Sequence, residues 1–173
     1  MSIEEAKNVS QRWPGNWTPA TIRENFNQSH PHVVLLKTLW YPEVIEGLRE
    51  SSTQLFRELE FDMSFIHEHE VPGSFELPLA AKCAFEGRLE GQTHKADIVI
   101  ALGCVINGET PHFEYVCSSV TQALMNLQMD YSKPLGFGVL TVNNKDQAMA
   151  RKDKGREAAQ AALSSWLTLK EMG

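Results

Sequence analysis

The residues best suited to chemistry lie in one stretch, 101–116, where an apolar run ends in a polar loop and a helical pattern begins. The run Ile98–Ile106 has the length of a buried strand, and Thr110 and Pro111 follow as a favourable N-cap and first-turn residue of a helix. Free N–H groups at a helix N-terminus bind anions, and His112 in that turn can carry a proton. The stretch predicts a phosphate or oxyanion pocket beside an acid–base group, although a capped turn with a surface histidine would have the same pattern.

Two other loops carry side chains that could bind a ligand. Trp40 follows the first apolar run, where an aromatic ring can stack on a planar ligand or simply cover the edge of the core. In residues 71–76, Gly73 permits close approach of the backbone and Ser74 can cap the next helix. Glu76 then lies in the first helical turn, where it could bind a polyol or an amine, or only interact with the helix dipole.

Charged and metal-ligating residues give weaker signals. Residues 151–156 are rich in Arg and Lys, which fits either a solvated face or a cation that reaches a phosphate. Residues 67–70 place two histidines on one face of an extended segment, but no third ligand is evident nearby, so we predict no metal site. The glycine-rich nucleotide loops and the G-x-S-x-G motif are missing from the sequence, which gives those classes no support.

The composition is that of a globular domain. The 173 residues suffice for one domain with a sizeable core, and the net charge of −6 argues against a general nucleic-acid surface. No apolar run is long enough to cross a bilayer, and the N-terminus has no apolar signal core. Cys83, Cys104 and Cys117 form no C-x-x-C pair and lie in predicted core segments. Buried thiols in a reducing cytoplasm are therefore expected, rather than a disulfide or a catalytic cysteine.

Strand and helix patterns alternate along most of the chain. Residues 1–30 show no steady period and are predicted to form an N-terminal extension with little regular structure, while 31–173 form one domain. Alternation predicts a parallel sheet of about four strands between two helical layers, with ligands at the carboxyl ends of the strands. The predicted strands are 33–36, 63–66, 97–103 and 135–141, and the predicted helices are 43–60, 74–86, 111–130, 144–152 and 156–171.

From about residue 32 to its C-terminus, the chain resembles lumazine synthase. The resemblance rests on VPGSFELP at 71–78, on residues 101–116, and on FGVLT at 137–141 with the downstream Gln147, Ala148 and Arg151. A Lys154-Gly155 pair before an alanine-rich helix also fits. The middle segment is long and specific, so chance is a poor explanation.

The resemblance implies a flavodoxin-like fold and a homopentamer, which some members assemble into larger shells. The implied reaction joins 5-amino-6-(D-ribitylamino)uracil to 3,4-dihydroxy-2-butanone 4-phosphate, gives 6,7-dimethyl-8-ribityllumazine and releases phosphate and water. This step belongs to riboflavin biosynthesis and implies no metal and no organic cofactor. The active sites would lie between adjacent subunits.

Site residues carry over from the family one by one. His112 matches the catalytic histidine, and Trp40 matches the aromatic residue that stacks on the pyrimidine. The other matches are Ser74, Phe75 and Glu76 for the ribityl chain, Val105 and Ile106 for the ring, Glu109, Thr110 and Arg151 for the phosphate, and Phe137 and Lys154 as residues lent by a neighbouring subunit.

Three departures from the family pattern leave alternatives open. Leu39 stands where many members have Arg, Asn107 replaces a basic residue, and only Lys152 and Asp153 separate Arg151 from Lys154, fewer residues than in the usual glycine-containing linker. A non-catalytic relative that binds a lumazine or flavin is the main rival to an active enzyme. A generic flavodoxin-like binding protein is a weaker one.

Overall fold

Four parallel strands with helices on both faces make up the fold, as seen in a computed structural model that describes residues 13, 17–28 and 30–172. The strands pair in the order β2-β1-β3-β4, and every pair is parallel. The predicted three-layer α/β architecture is therefore confirmed. The strands are β1 (Val33–Thr38), β2 (Ile66–Val71), β3 (Ile98–Ile106) and β4 (Leu135–Val142).

The helices follow the strands in alternation, and two single 3₁₀ turns, Met63–Phe65 and Ser74–Glu76, lie on either side of β2. Apolar residues at helical spacing explain most of the helices, because one face of each is buried against the sheet. The helices are α1 (Pro19–Gln28), α2 (Pro42–Glu58), α3 (Leu77–Glu86), α4 (His112–Tyr131), α5 (Lys145–Met149) and α6 (Lys154–Met172).

The sheet separates two apolar clusters. On one face, α1, α2, α5 and α6 pack against alternate residues of β1 and β3, such as Leu35 and Ile100. On the other face, α3 and α4 pack against the intervening residues, such as Leu36 and Ala101. Both central strands are thus buried on both faces, which is why they have continuous apolar sequences.

The strand order creates a crevice at the carboxyl edge of the sheet. β1 lies between β2 and β3, so the chain leaves β1 toward one side and later returns to the other. Lys37 near the end of β1 is in register with Glu70 of β2 and Leu102 of β3. Open α/β sheets bind ligands where the strand order reverses in this way. The loops after β1, β2 and β3 meet there.

The second predicted strand was placed wrongly. Residues Met63–Phe65 form a 3₁₀ turn, and β2 begins only at Ile66. The cause is local, because the side chain of Asp62 accepts a hydrogen bond from the Ser64 amide at 3.0 Å and caps the turn.

The histidine-rich segment 67–70 lies within β2, at the edge of the sheet. There Glu68 forms ion pairs with Lys37 and Arg49. Charged side chains of this kind protect an edge strand from pairing with other chains. Among the described residues, no group of three or more potential ligands is arranged to hold a metal ion.

The prediction of little regular structure before residue 31 was wrong for residues 19–28, which form α1. Thr18 and Thr21 cap this helix reciprocally, each accepting a hydrogen bond from the amide of the other, at 3.2 and 2.9 Å. Ile22 and Phe26, one turn apart, are buried in the core. Of the two N-terminal tryptophans, Trp13 and Trp17 both pack against that core; the rest of 1–16 lies outside the described residues.

All three cysteines are free thiols; Cys104 is buried, as expected, whereas Cys83 and Cys117 are half-buried. Across the described ranges, no helix is long and apolar enough to span a membrane.

Candidate active site

A cleft of about 310 Å³ opens at the carboxyl edge of the sheet, between the loops after β1 and β2 and the end of β3. Seven of the predicted site residues line it: Trp40, Ser74, Phe75, Glu76, Val105, Ile106 and His112. The cleft also contains Tyr41, Cys104 and Val116, which the sequence analysis did not assign to the site. Their positions in the sequence could have indicated this, since each is next to, or one helical turn from, a predicted site residue.

Trp40 projects from a sharp turn between β1 and α2. Its side chain is 65% exposed, although indole is a large apolar group. The next residue, Tyr41, has left-handed backbone angles (φ 57°, ψ 60°), which cost a non-glycine residue about 1 kcal/mol. Its carbonyl accepts hydrogen bonds from the amides of Val44 and Ile45, so the first turn of α2 stabilises this conformation. The turn holds the indole at the mouth of the cleft.

Gly73 makes room for two of the predicted ligand-binding side chains. A Cβ atom at this position would lie 3.1 Å from a carboxylate oxygen of Glu76 and 3.4 Å from Cδ1 of Trp40. The backbone of Gly73 is extended (φ −156°), a conformation open to any residue. Space, rather than conformation, therefore explains the glycine. It brings the carboxylate and the indole to one wall of the cleft.

The predicted capping role of Ser74 was wrong. Ser74 begins the 3₁₀ turn that leads into α3, and α3 has no side-chain cap. Its side chain faces β3 instead, where a Cβ atom on Gly103 would lie 2.7 Å from the Ser74 Oγ. The hydroxyl is buried and has no hydrogen-bond partner in the described part of the chain. A buried unsatisfied hydroxyl costs about 1–3 kcal/mol, so a ligand hydroxyl would stabilise it.

The first turn of α4 presents His112 and unpaired backbone amides. The predicted Thr110 cap was wrong, because Pro111 occupies the cap position with φ −62° and ψ −4°, and no side chain caps the helix. The amides of Gly108, Glu109, Thr110 and His112 donate no hydrogen bond within the described ranges. These donors and the helix dipole favour an anion beside His112.

Cys104 lies on the floor of the cleft but is a poor nucleophile. Burial raises the pKa of its thiol to about 11. The reactive form of cysteine is the thiolate, which is scarce at neutral pH when the pKa is this high. Cys104 therefore contributes packing to the cleft. Among the residues that line the cleft, His112 has the side chain best suited to proton transfer.

The remaining predicted site residues lie outside this cleft. Glu109 and Thr110 are exposed on the loop just before α4. Phe137 is 43% exposed in the middle of β4 and lines a different groove, together with Cys117 and Met125 of α4. Arg151 and Lys154 follow α5 on the side of the sheet that α2 and α6 cover. In the single chain, Phe137 therefore lies on the face of the sheet that α3 and α4 cover, whereas Arg151 and Lys154 lie on the opposite face.

The cations in α5, in the turn after it and at the start of α6 differ in their partners. The Lys154 ammonium lies 2.7 Å from both carboxylate oxygens of Glu157, with which it forms an ion pair. Lys145 and Arg156 are likewise paired with glutamates. Arg151 donates to the carbonyl of Gln147 at 3.0 Å and forms no ion pair within the described residues. Its guanidinium keeps most of its donors for an anion.

Comparison with known proteins gives one consistent result. Residues 30–170 match the sequence model of the family described as 6,7-dimethyl-8-ribityllumazine synthase. A protein of that name from Streptomyces coelicolor is 39% identical over 147 residues, which are 81% of this chain and 86% of the relative. A relative from Kocuria rhizophila, with the same name, is 36% identical over 162 residues, 90% of this chain and 97% of its own length. One from Kineococcus radiotolerans is 41% identical, with 80% of this chain and 84% of the relative covered.

Proposed function

The chain belongs to the 6,7-dimethyl-8-ribityllumazine synthase family, and we infer that it is an active enzyme of riboflavin biosynthesis. As a transferase, it condenses 5-amino-6-(D-ribitylamino)uracil with 3,4-dihydroxy-2-butanone 4-phosphate. The products are 6,7-dimethyl-8-ribityllumazine, phosphate and water. The two rivals, a non-catalytic relative and a generic binding protein, have no observation in their favour. The free thiols fit a reducing cytoplasm.

One observation carries the assignment of the site: Trp40, Ser74 and His112 line the same cleft. The exposed indole offers a flat apolar surface for the pyrimidine ring. The unsatisfied Ser74 hydroxyl and the Glu76 carboxylate offer partners for the ribityl hydroxyls. The ring and the ribityl chain of the pyrimidine substrate would then both be held in place before the reaction begins.

The backbone at the end of β3 can orient the ring between these two contacts. Val105 and Ile106 are the last residues of β3, and both line the cleft. Their backbone N–H and C=O groups would form hydrogen bonds with the edge of the pyrimidine ring. The reacting amine would therefore be presented toward the first turn of α4.

Each chemical step moves a proton that His112 can carry. The pyrimidine amine attacks the ketone and loses water, the phosphate leaves by elimination, and the ribityl-bearing nitrogen closes the ring with loss of a second water. A positioned imidazole can accept a proton from the amine and return it to a leaving oxygen. The leaving phosphate would be held by the unpaired amides before α4, with Glu109 and Thr110 beside it.

The assay for this function uses the purified chain with both substrates. We expect the absorbance of the lumazine to grow and an equal amount of inorganic phosphate to appear. Omission of the butanone phosphate is the control for binding alone. Ligand binding without product would support the non-catalytic rival and overturn the enzyme assignment.

Trp40 should report binding of the pyrimidine ring. A ring stacked on its indole should quench its fluorescence, and Trp40→Leu should weaken binding by about 1 kcal/mol, as expected for lost aromatic stacking. Fluorescence titration of both proteins measures this effect. Trp166, which interacts with Lys170 on α6, should respond less and serves as the internal reference. Equal affinities would remove Trp40 from the binding site.

We further propose a homopentamer in which neighbouring subunits complete each site. Two observations support this arrangement. Phe137, Arg151 and Lys154 match family site residues, yet in one chain they lie outside the cleft. Large apolar side chains are also exposed on α4, with Tyr115 71% and Met129 70% accessible. Exposed apolar surface of this kind marks interaction sites.

Light scattering on the purified protein tests the pentamer. We expect a mass near five times that of the 19.5 kDa chain. The short turn after Arg151 lies where shell-forming members carry a longer linker, so a larger shell is not expected. A monomer mass would overturn both the pentamer and the shared site, whereas a shell mass would overturn only the argument from the turn.

Arg151→Ala should mainly impair use of the phosphate-bearing substrate. A charge-assisted contact of guanidinium to phosphate contributes about 2 kcal/mol, or roughly a thirty-fold rise in KM for the butanone phosphate. Arg151→Lys should rescue only part of the loss, because an ammonium group lacks the planar fork. Steady-state kinetics with the pyrimidine held saturating measure the change. An unaltered KM would remove Arg151 from the phosphate site.

A further inference from the structure

The turn between α5 and α6 is held against α2 by close contacts on both sides. The aliphatic stem of Lys152 crosses α2 at Gly47, where a Cβ atom would lie 2.3 Å from Lys152 Cδ. On the far side of the turn, a Cβ atom on Gly155 would lie 1.9 Å from the carbonyl oxygen of Leu48. Both glycines therefore permit the close approach of the turn to α2.

Ser51 of α2 joins the two sides of this turn. Its hydroxyl lies 2.7 Å from the carbonyl oxygen of Lys152 and 3.0 Å from that of Leu48 in its own helix, so its single proton has two acceptors and the shorter contact is with the turn. The Oγ of Ser51 also accepts a hydrogen bond from the amide of Arg156 at 3.2 Å, which that amide shares with the carbonyl oxygen of Asp153 at 3.0 Å. Ser51 thus acts as a cap on the N-terminus of α6, supplied by another helix rather than by the residue before it.

The contacts of Ser51, Gly47 and Gly155 with the turn, here called the clamp, lie next to Arg151, whose guanidinium is available for an anion. Lys152 also forms no ion pair among the described residues, but its aliphatic stem lies against α2. Lys154 and Arg156 are engaged by Glu157 and Glu58. Arg151 forms no ion pair within the described residues, and its peptide carbonyl accepts a hydrogen bond from the Lys154 amide at 3.0 Å. The backbone on both sides of Lys152 is therefore fixed, and with it the direction in which the Arg151 side chain leaves the turn.

We propose that Ser51 is a positioning residue for the phosphate-bearing substrate and acts through Arg151. The proposal rests on the proposed function. Because only Lys152 and Asp153 separate Arg151 from Lys154, the turn is too short to adapt by itself. The contacts of Ser51, Gly47 and Gly155 with the turn fix it instead. Loss of the hydroxyl should leave the pyrimidine site intact and misplace the guanidinium.

A mutant cycle of Ser51→Ala and Arg151→Ala tests the coupling. We expect Ser51→Ala to raise KM for the butanone phosphate roughly five-fold, as for a lost hydrogen bond, with little change in kcat and in pyrimidine affinity. In the Arg151→Ala background it should have no further effect. An equal rise in both backgrounds would overturn the proposal, as would an unchanged KM in the single variant.

Ser52→Ala is the matched control. Ser52 lies beside Ser51 on α2, and its hydroxyl donates to the carbonyl oxygen of Leu48 at 2.8 Å. Among the described residues it forms no hydrogen bond with the turn. It should leave KM for both substrates unchanged. A rise equal to that of Ser51→Ala would mean that α2 stability alone explains the effect, which would overturn the proposal.

A second variant and a second measurement keep the test decisive. Gly47→Ala favours the helical state of α2 and displaces the Lys152 stem, so it should fold and also raise KM for the butanone phosphate. The rate of amide hydrogen exchange in residues 151–156 measures how firmly the clamp holds the turn, and it needs no substrate. Faster exchange in Ser51→Ala than in Ser52→Ala supports the clamp even if the wild type forms no lumazine, and equal exchange overturns it. An inactive wild type would overturn the proposed function separately.

Discussion

Replacement of His112 by alanine is expected to lower turnover by about a hundred-fold, with pyrimidine binding largely retained. A positioned acid–base group contributes on the order of 10²–10⁴-fold to a rate. The low end is expected here because alignment of an amine with a ketone already supplies part of the acceleration. Since His112 is exposed in the first turn of α4, its removal leaves no buried cavity.

Single-turnover kinetics with both substrates measure this effect, and fluorescence of Trp40 measures pyrimidine affinity in the same variant. His94→Ala is the matched control, because His94 is also exposed but lies in the loop before β3, at the opposite edge of the sheet. The control should retain wild-type turnover. An undiminished rate in His112→Ala would remove this residue from the mechanism.

Gly155→Ala is expected to destabilise the fold by about 3 kcal/mol. The added methyl group would lie 1.9 Å from the backbone carbonyl oxygen of Leu48, and a backbone atom cannot move without shifting α2 or α6. Overpacking of this kind costs about 1–3 kcal/mol or more, and the higher helix propensity of alanine offsets only part of it. Denaturant unfolding at equilibrium measures the change.

Gly108→Ala provides the comparison for that measurement. Apart from Gly108 itself and its two chain neighbours, no atom of the described residues lies within 4 Å of a Cβ placed at Gly108, so the free energy of unfolding should change little. If Gly155→Ala proved as stable as the wild type, the close packing of α6 on α2 would be refuted. The clamp through Ser51 depends on that packing and would lose its basis.

Much of the fold could be predicted because its signals are local and periodic. Val44, Ile45 and Leu48 recur at helical spacing, and the continuous apolar run of β3 indicates a strand buried on both faces. The two errors in placing strands and helices, at residues 63–66 and 19–28, both occurred where a side chain caps a helical turn. Asp62 caps a 3₁₀ turn where a strand was predicted. Thr18 and Thr21 cap a helix where an N-terminal extension without regular structure was predicted.

The site was predictable in part, for a different reason. Trp40, Ser74 and His112 all follow predicted strands, and parallel strands bring their carboxyl ends together. The burial and the hydrogen-bond or ion-pair partners of each side chain could not be predicted. The Ser74 hydroxyl is buried because Gly103, far along the chain, lets it approach β3. The choice of Arg151 over Lys154 as the available cation depends on the side-chain geometry of Glu157.

The position of α6 after the four strands and the other five helices has a consequence during synthesis. All residues that line the cleft lie between 40 and 116, so a ribosome completes them early. The sheet face beneath α6 is covered only when Leu163 and Leu167 have emerged, because these residues belong to the same apolar cluster as β1 and β3. A nascent chain thus carries every residue that lines the cleft before α6 covers its part of the sheet. Nascent chains with exposed apolar surface are prone to aggregation, so we expect the chain to be most vulnerable between synthesis of the cleft lining and docking of α6.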